Sequence, residues 1–231
     1  MIAQIRRASR ALATTMALPL LLAAPAAQAV LVDTVGDSFT VEWLLADGAT
    51  DPNGNTNGTG VDIAAEATFS LSAYDTAADS IGLSITATNT TAPNTKAIGL
   101  YKLGFGTTPD ATGVLFSDDP DGAFIGASSG AFPAFPDAAL IDVTATTDPG
   151  APNTLQAGES DTFGLTLSFA NLPSDGVDFG PFDAFFQSNP QSFQVPSNGN
   201  GNEVPAPGTL ALLGTGLLAF GWVGRRRGMA G

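Results

Sequence analysis

Thr162-Phe163-Gly164-Leu165-Thr166-Leu167-Ser168-Phe169 alternates small polar and large apolar residues without a break. A period of two puts Phe163, Leu165, Leu167 and Phe169 on one side of an extended strand and Thr162, Gly164, Thr166 and Ser168 on the other. One side belongs in a core and the other in water, which is how an antiparallel sheet is patterned. Working outward, Phe39, Val41, Trp43 and Leu45 alternate with Thr40, Glu42 and Leu44, and Ala67, Phe69, Leu71 and Ala73 with Thr68, Ser70 and Ser72. Ile81, Leu83, Ile85 and Ala87 repeat the pattern. Tyr101, Leu103 and Phe105 form a shorter set, as do Ala139, Ile141, Val143 and Ala145. Between these runs stand turn formers: Asp51-Pro52-Asn53-Gly54, Asp119-Pro120-Asp121-Gly122, Asp148-Pro149-Gly150 and Ser174-Asp175-Gly176. No stretch between the ends repeats apolar residues at a helical period. The expected fold is all-β: an antiparallel two-sheet sandwich over residues 30–195, of immunoglobulin-like or jelly-roll type, with its strand order open.

Charge restricts the partners. Of eight basic residues, Arg6, Arg7 and Arg10 precede this body and Arg225, Arg226 and Arg227 follow it. Lys96 and Lys102 alone face all 22 acidic residues, so residues 30–204 carry a formal −20. Such a body repels nucleic-acid phosphates and anionic headgroups, so no nucleic-acid partner is expected. The chain has no cysteine and no histidine. That removes disulfides, Cys/His zinc sites and any Ser-His-Asp or Cys-His nucleophile, and leaves carboxylates, lysine or tyrosine for acid–base work.

The two ends are built differently. Residues 1–29 have the layout of a secretory signal peptide: three arginines, an apolar stretch from Ala11 to Ala24, and Ala27-Gln28-Ala29 as small residues for signal peptidase, so that the mature chain starts at Val30. Ala8-Ser9-Arg10 follows Arg6-Arg7 where a twin-arginine signal has apolar residues, so ordinary secretion is expected. Pro196 to Glu203 is rich in Asn, Gly and Ser and is expected to be a flexible linker. The last segment, 204–231, contains an uncharged stretch, 208–224, closed by Arg225-Arg226-Arg227. As a helix it is ~25 Å long, just short of a hydrocarbon core, with its arginines held on the cytoplasmic side. The body then lies outside, as the leader requires.

Val204-Pro205-Ala206-Pro207, a Gly/Leu-rich helix and a terminal arginine cluster together resemble the PEP-CTERM sorting signal of Gram-negative bacteria. Ala206 stands where that signal has its glutamate. The resemblance implies recognition by an exosortase, transient residence in the inner membrane, delivery to the cell surface or extracellular matrix, and association with exopolysaccharide and biofilm. The body also resembles the cistern-type subgroup, through Leu83 to Thr91, Lys102 to Gly106, Ala157 to Phe163 and the aromatics Phe182, Phe185 and Phe186. That subgroup implies no activity.

Candidate chemistry is sparse. Asp51, Asn53, Asn55, the backbone at position 57 and Asp62 have the oxygen spacing of an EF-hand-like calcium loop. Thr56 replaces its glycine, however, Asp62 is shorter than its bidentate glutamate, and no helices flank it. A solvated loop is the expectation, with no cofactor and calcium as the minority reading. Asp118, Asp119 and Asp121 form a second acidic turn. Glu42, Glu66 and Glu159 are the body's glutamates, and nothing in their spacing selects a glycosidase pair. Phe132, Phe135, Phe179, Phe182, Phe185, Phe186 and Phe193 are expected in the core rather than on a sugar platform. The expected function is therefore non-catalytic, at the cell surface or in the matrix. The alternatives are a carbohydrate-binding module of that matrix and a carboxylate-dependent hydrolase.

Overall fold

The computed structural model describes residues 29–93, 96–118, 122–129, 143–148, 154–188 and 191–197. These residues are all-β and form two antiparallel sheets packed together. In chain order the strands are β1 (Val30–Val32), β2 (Ser38–Leu45), β3 (Ile63–Asp75), β4 (Ser80–Thr88), β5 (Gly99–Thr108), β6 (Gly113–Asp118), β7 (Phe124–Ser129), β8 (Val143–Thr147), β9 (Ser160–Ser168), β10 (Val177–Gln187) and β11 (Ser192–Pro196). One sheet has the order β2-β3-β4-β9-β6. The other has the order β1-β10-β5-β8-β7, with β11 also pairing β10.

The pairs β7·β8, β6·β9 and β5·β10 are nested around one connection and alternate between the sheets. Such nesting is that of a ribbon wrapped across a sandwich, the jelly-roll manner of closing all-β folds.

The period-two residues do what their pattern requires. Phe39, Val41, Trp43 and Leu45 on β2 are buried, as are Ile81, Leu83, Ile85 and Ala87 on β4 and Phe163, Leu165 and Leu167 on β9. Across the gap they meet Leu103, Phe105, Val143, Ala145, Phe179, Phe182 and Phe186. Aromatic contacts stitch the layers. Phe39 stacks on its own sheet's Phe69 at 4.9 Å, and Phe69 meets Phe105 of the other sheet edge-on at 5.4 Å. Farther along, Phe124 of one sheet lies 4.7 Å from Phe163 of the other. Pairs of this kind add about 0.5–1.5 kcal/mol each beyond the area they bury.

Three expectations need adjusting. Ala73 is exposed, because a bulge between Leu71 and Ala73 inverts the alternation and turns Tyr74 partly inward. Tyr101 is only half-buried, since an irregularity between Phe185 and Phe186 shifts its register. Phe185 points outward and meets Tyr101 at 5.8 Å, whereas Phe179, Phe182, Phe186 and Phe193 are core. Ala139, Ile141, Phe132 and Phe135 lie outside the described residues.

Candidate functional site

Asp51 is 4 % exposed, and its carboxylate is surrounded by N–H donors rather than by oxygens. Oδ1 accepts from the backbone N–H groups of Asn53 (3.0 Å) and Asn55 (2.7 Å). Oδ2 accepts from the Asn55 side chain (3.2 Å) and from the Gln194 backbone N–H (3.0 Å). Asn53 Nδ2 donates to Gln194 Oε1 at 2.6 Å. The loop therefore grips β11, a strand at the sheet edge, and occupies a backbone donor that an open edge would offer to another chain.

Two further oxygens of the calcium pattern are also engaged. The Asn57 carbonyl accepts from Gly48 N–H at 2.6 Å, and Asp62 Oδ1 accepts from Asp47 N–H at 2.9 Å. Among the described residues no three acidic side chains are placed to share a metal ion. Asp118 closes β6, and Asp119 and Asp121 lie outside the described residues.

Two asparagine side chains with no structural role assigned from the sequence turn out to be central. Asn57 is fully buried and donates through Nδ2 to the carbonyls of Leu45 and Val61, both at 3.0 Å. Its Oδ1 accepts from Thr59. Asn89, also fully buried, donates to Ile98 O (3.0 Å) and Leu155 O (2.9 Å) while Oδ1 accepts the Thr91 N–H (3.1 Å). Thr91 in turn exchanges hydrogen bonds with Ala64. Each amide replaces a missing strand partner at a sheet end, where buried backbone groups must be satisfied. Asn89 and Thr91 thus form a buried clamp, with Thr90 exposed between them.

The glutamates are not gathered into a cleft. Glu42 and Glu66 stand directly opposite each other on β2 and β3, exposed on the outward face. Glu159 is elsewhere, accepting from Gln156 N–H at 2.9 Å. An open cleft beside β1 and the end of β10 is lined by Leu31, Pro109, Pro173 and the carboxylates of Asp110, Asp175 and Asp178. It contains none of the three glutamates. Tyr74 donates its phenol hydrogen bond to Pro173 O. Burial raises its pKa above the usual 10.0, reinforced by Asp175 and Asp33 and opposed by a hydrogen bond to the Gly176 backbone.

The outward face of the β2-β3-β4-β9-β6 sheet carries hydroxyls in register. One row runs Thr40, Thr68, Thr86, Thr162; the next runs Ser38, Ser70, Ser84, Gly164, Ser117. Thr40 and Thr68 are hydrogen-bonded at 2.9 Å, as are Thr86 and Thr162. Cross-strand threonine pairs of this kind stabilise a sheet modestly.

Both ends of the sheeted region meet β10 on one edge. Val30 pairs with Phe179, and Pro196 pairs with Asp183, with Ser197 N–H donating to Phe182 O at 2.9 Å. The leader side and the sorting side thus leave the domain close together, on either side of Gly180-Pro181, whose peptide bond is cis. Ala29 is exposed. Ala27 and the sorting residues Val204, Pro205, Ala206, Pro207, Arg225, Arg226 and Arg227 lie outside the described residues, as does the stretch 208–224. Among the described residues no helix is long and apolar enough to cross a membrane.

Comparison with known families identifies the C-terminal segment: residues 203–227 match the PEP-CTERM protein-sorting motif. The match includes Ala206 and all three arginines. The motif marks the chain as an exported protein that is sorted by exosortase. No curated protein and no solved structure matches the chain, and the match to residues 203–227 does not extend to the cistern-type subgroup.

Proposed function

We propose that this PEP-CTERM-bearing chain is a non-catalytic component of the cell surface or extracellular matrix, linked to exopolysaccharide and biofilm. The observation that carries the reading is the sorting motif at residues 203–227, joined to an acidic β-sandwich by a short linker. In this reading signal peptidase cuts after Ala29 and leaves Val30 as the first residue of an edge strand. Residues 208–224 cross the inner membrane transiently with Arg225, Arg226 and Arg227 on the cytoplasmic side. Exosortase then acts at the Val204-Pro205-Ala206-Pro207 segment, and Ala206 in place of glutamate is tolerated. No cofactor takes part.

The placement of the glutamates supports a non-catalytic role, since a glycosidase needs its two carboxyl groups to flank a bound sugar and none of the three lines the open cleft. Glu42 and Glu66 face each other on an open sheet face, where like charges merely repel. A second reading, a carbohydrate-binding module of the matrix, is favoured by the exposed hydroxyl rows.

The test is to express the full chain in a Gram-negative host that carries an exosortase and in the same host without it. The expected result is a shortened protein at the surface or in the matrix only when the enzyme is present. Arg225→Ala/Arg226→Ala/Arg227→Ala should block the shortening. Equal processing in both hosts overturns the sorting step. Correct processing followed by quantitative loss to the medium, away from any matrix, overturns the matrix role.

A further inference from the structure

β1 begins at Val30, the residue directly after Ala29, with no spacer between the leader and the first strand. Val30, Leu31 and Val32 pair antiparallel with Phe179, Asp178 and Val177 at one end of β10. Val32 is buried, and Val30 packs partly buried against the core. The turn that leads into β10 closes on the same strand. A Cβ on Gly176 would lie 2.7 Å from Leu31 Cδ1 and 3.0 Å from the Val32 carbonyl oxygen, at a φ of +112° that favours glycine. All these partners belong to residues 176–179, which follow β9 in the chain. The other end of the domain is spaced differently. Ser197 N–H donates to Phe182 O, and residues 198–203 then intervene before Val204.

We infer that the leader is removed before β1 docks on β10, so that the sheet closes only after the cut. A peptidase takes its substrate as an extended strand and holds the residues beside the scissile bond through their backbone. Val30 to Val32 are the three residues just past that bond. In the folded domain one edge of them is paired with β10, and Val32 is in the core. The same three residues cannot lie in the enzyme and in the sheet at once. During export the conflict is absent, because Val30 leaves the membrane before β10 does. The order is therefore set by topology: cut first, then close. The sorting cut is under no such constraint, since residues 198–203 set it apart from β11 and it leaves that strand paired. The inference rests on the reading of Ala29–Val30 as the signal peptidase site.

The experiment treats the full precursor, refolded in neutral detergent micelles, with signal peptidase. Beside it stands a variant with a flexible Gly/Ser spacer of about six residues between Ala29 and Val30. The spacer keeps Ala27 and Ala29 for the enzyme and leaves β1 able to dock. The folded spacer variant should be cut about tenfold or more faster than the unchanged precursor, with melting temperatures equal within a few degrees. Gly176→Val, which pushes against Leu31 and the Val32 carbonyl, should also speed the cut in the unspaced chain. If that variant fails to fold, the spacer comparison still decides. Equal rates for the two folded precursors overturn the inference. A spacer variant that is not cut after Ala29 overturns the leader reading on which the inference rests, so the two failures are told apart.

Discussion

Asn89→Ala removes one side chain and leaves a definite set of groups behind. Asn89 Nδ2 serves the carbonyls of Ile98 and Leu155, and Oδ1 serves the Thr91 N–H. Leu155 O keeps another donor, the Leu100 N–H at 2.9 Å. Ile98 O and Thr91 N–H lose theirs, at residues 1 % and 2 % exposed. A buried backbone group left without a partner costs about 1–3 kcal/mol, so the two together cost about 2–6 kcal/mol. Against a total stability of about 5–15 kcal/mol, that is a large fraction. Urea unfolding of the processed protein, followed by tryptophan fluorescence from the buried Trp43, should show a midpoint lowered by about 1 M or more at unchanged slope. Thr90→Ala, at the exposed neighbouring residue, should stay within about 0.5 kcal/mol. A loss under about 1 kcal/mol for Asn89→Ala would refute the clamp. Asn89→Asp is expected to be worse at neutral pH, since a carboxylate then faces two carbonyls.

Asp51→Ala should free the β11 edge, speeding hydrogen exchange at the Gln194 amide by tenfold or more while amides in β4 and β9 stay protected. Millimolar calcium should leave the melting temperature unchanged, because the Asp51 oxygens are held by N–H donors; a rise of several degrees would restore the calcium reading. Tyr74 has its folded-state pKa raised by burial, so its contribution is intact at neutral pH and lost as pH climbs through the folded phenol's pKa, above 10.0. Tyr74→Phe should flatten that alkaline loss; an identical alkaline profile in the variant contradicts the assignment.

What was readable in the sequence was what is local. β2, β4 and β9 keep a clean period of two because one face is core and the other water, and the register follows the pattern. β10 was visible only as an aromatic cluster. Gly180-Pro181 interrupts it, and its irregularities against β5 shift the alternation. β6 hides because Val114-Leu115-Phe116 is a continuous apolar run, although Leu115 faces water. The Asp51 loop has the same oxygen spacing whether it holds a cation or caps an edge. The deciding partner, Gln194, is 143 residues away. Asn57 enters the calcium pattern only through its backbone, and Asn89 becomes a clamp only because Leu155, 66 residues away, is brought beside it. The sorting segment was legible because its recognition depends on a contiguous stretch of residues, and the match to residues 203–227 bears that out.

Intact-mass measurement of the protein recovered from an exosortase-bearing host tests the central claim most directly. The account predicts a chain that begins at Val30 and has lost the C-terminal stretch containing Arg225, Arg226 and Arg227. A recovered protein that still ends in Gly231, with those arginines in place, contradicts it.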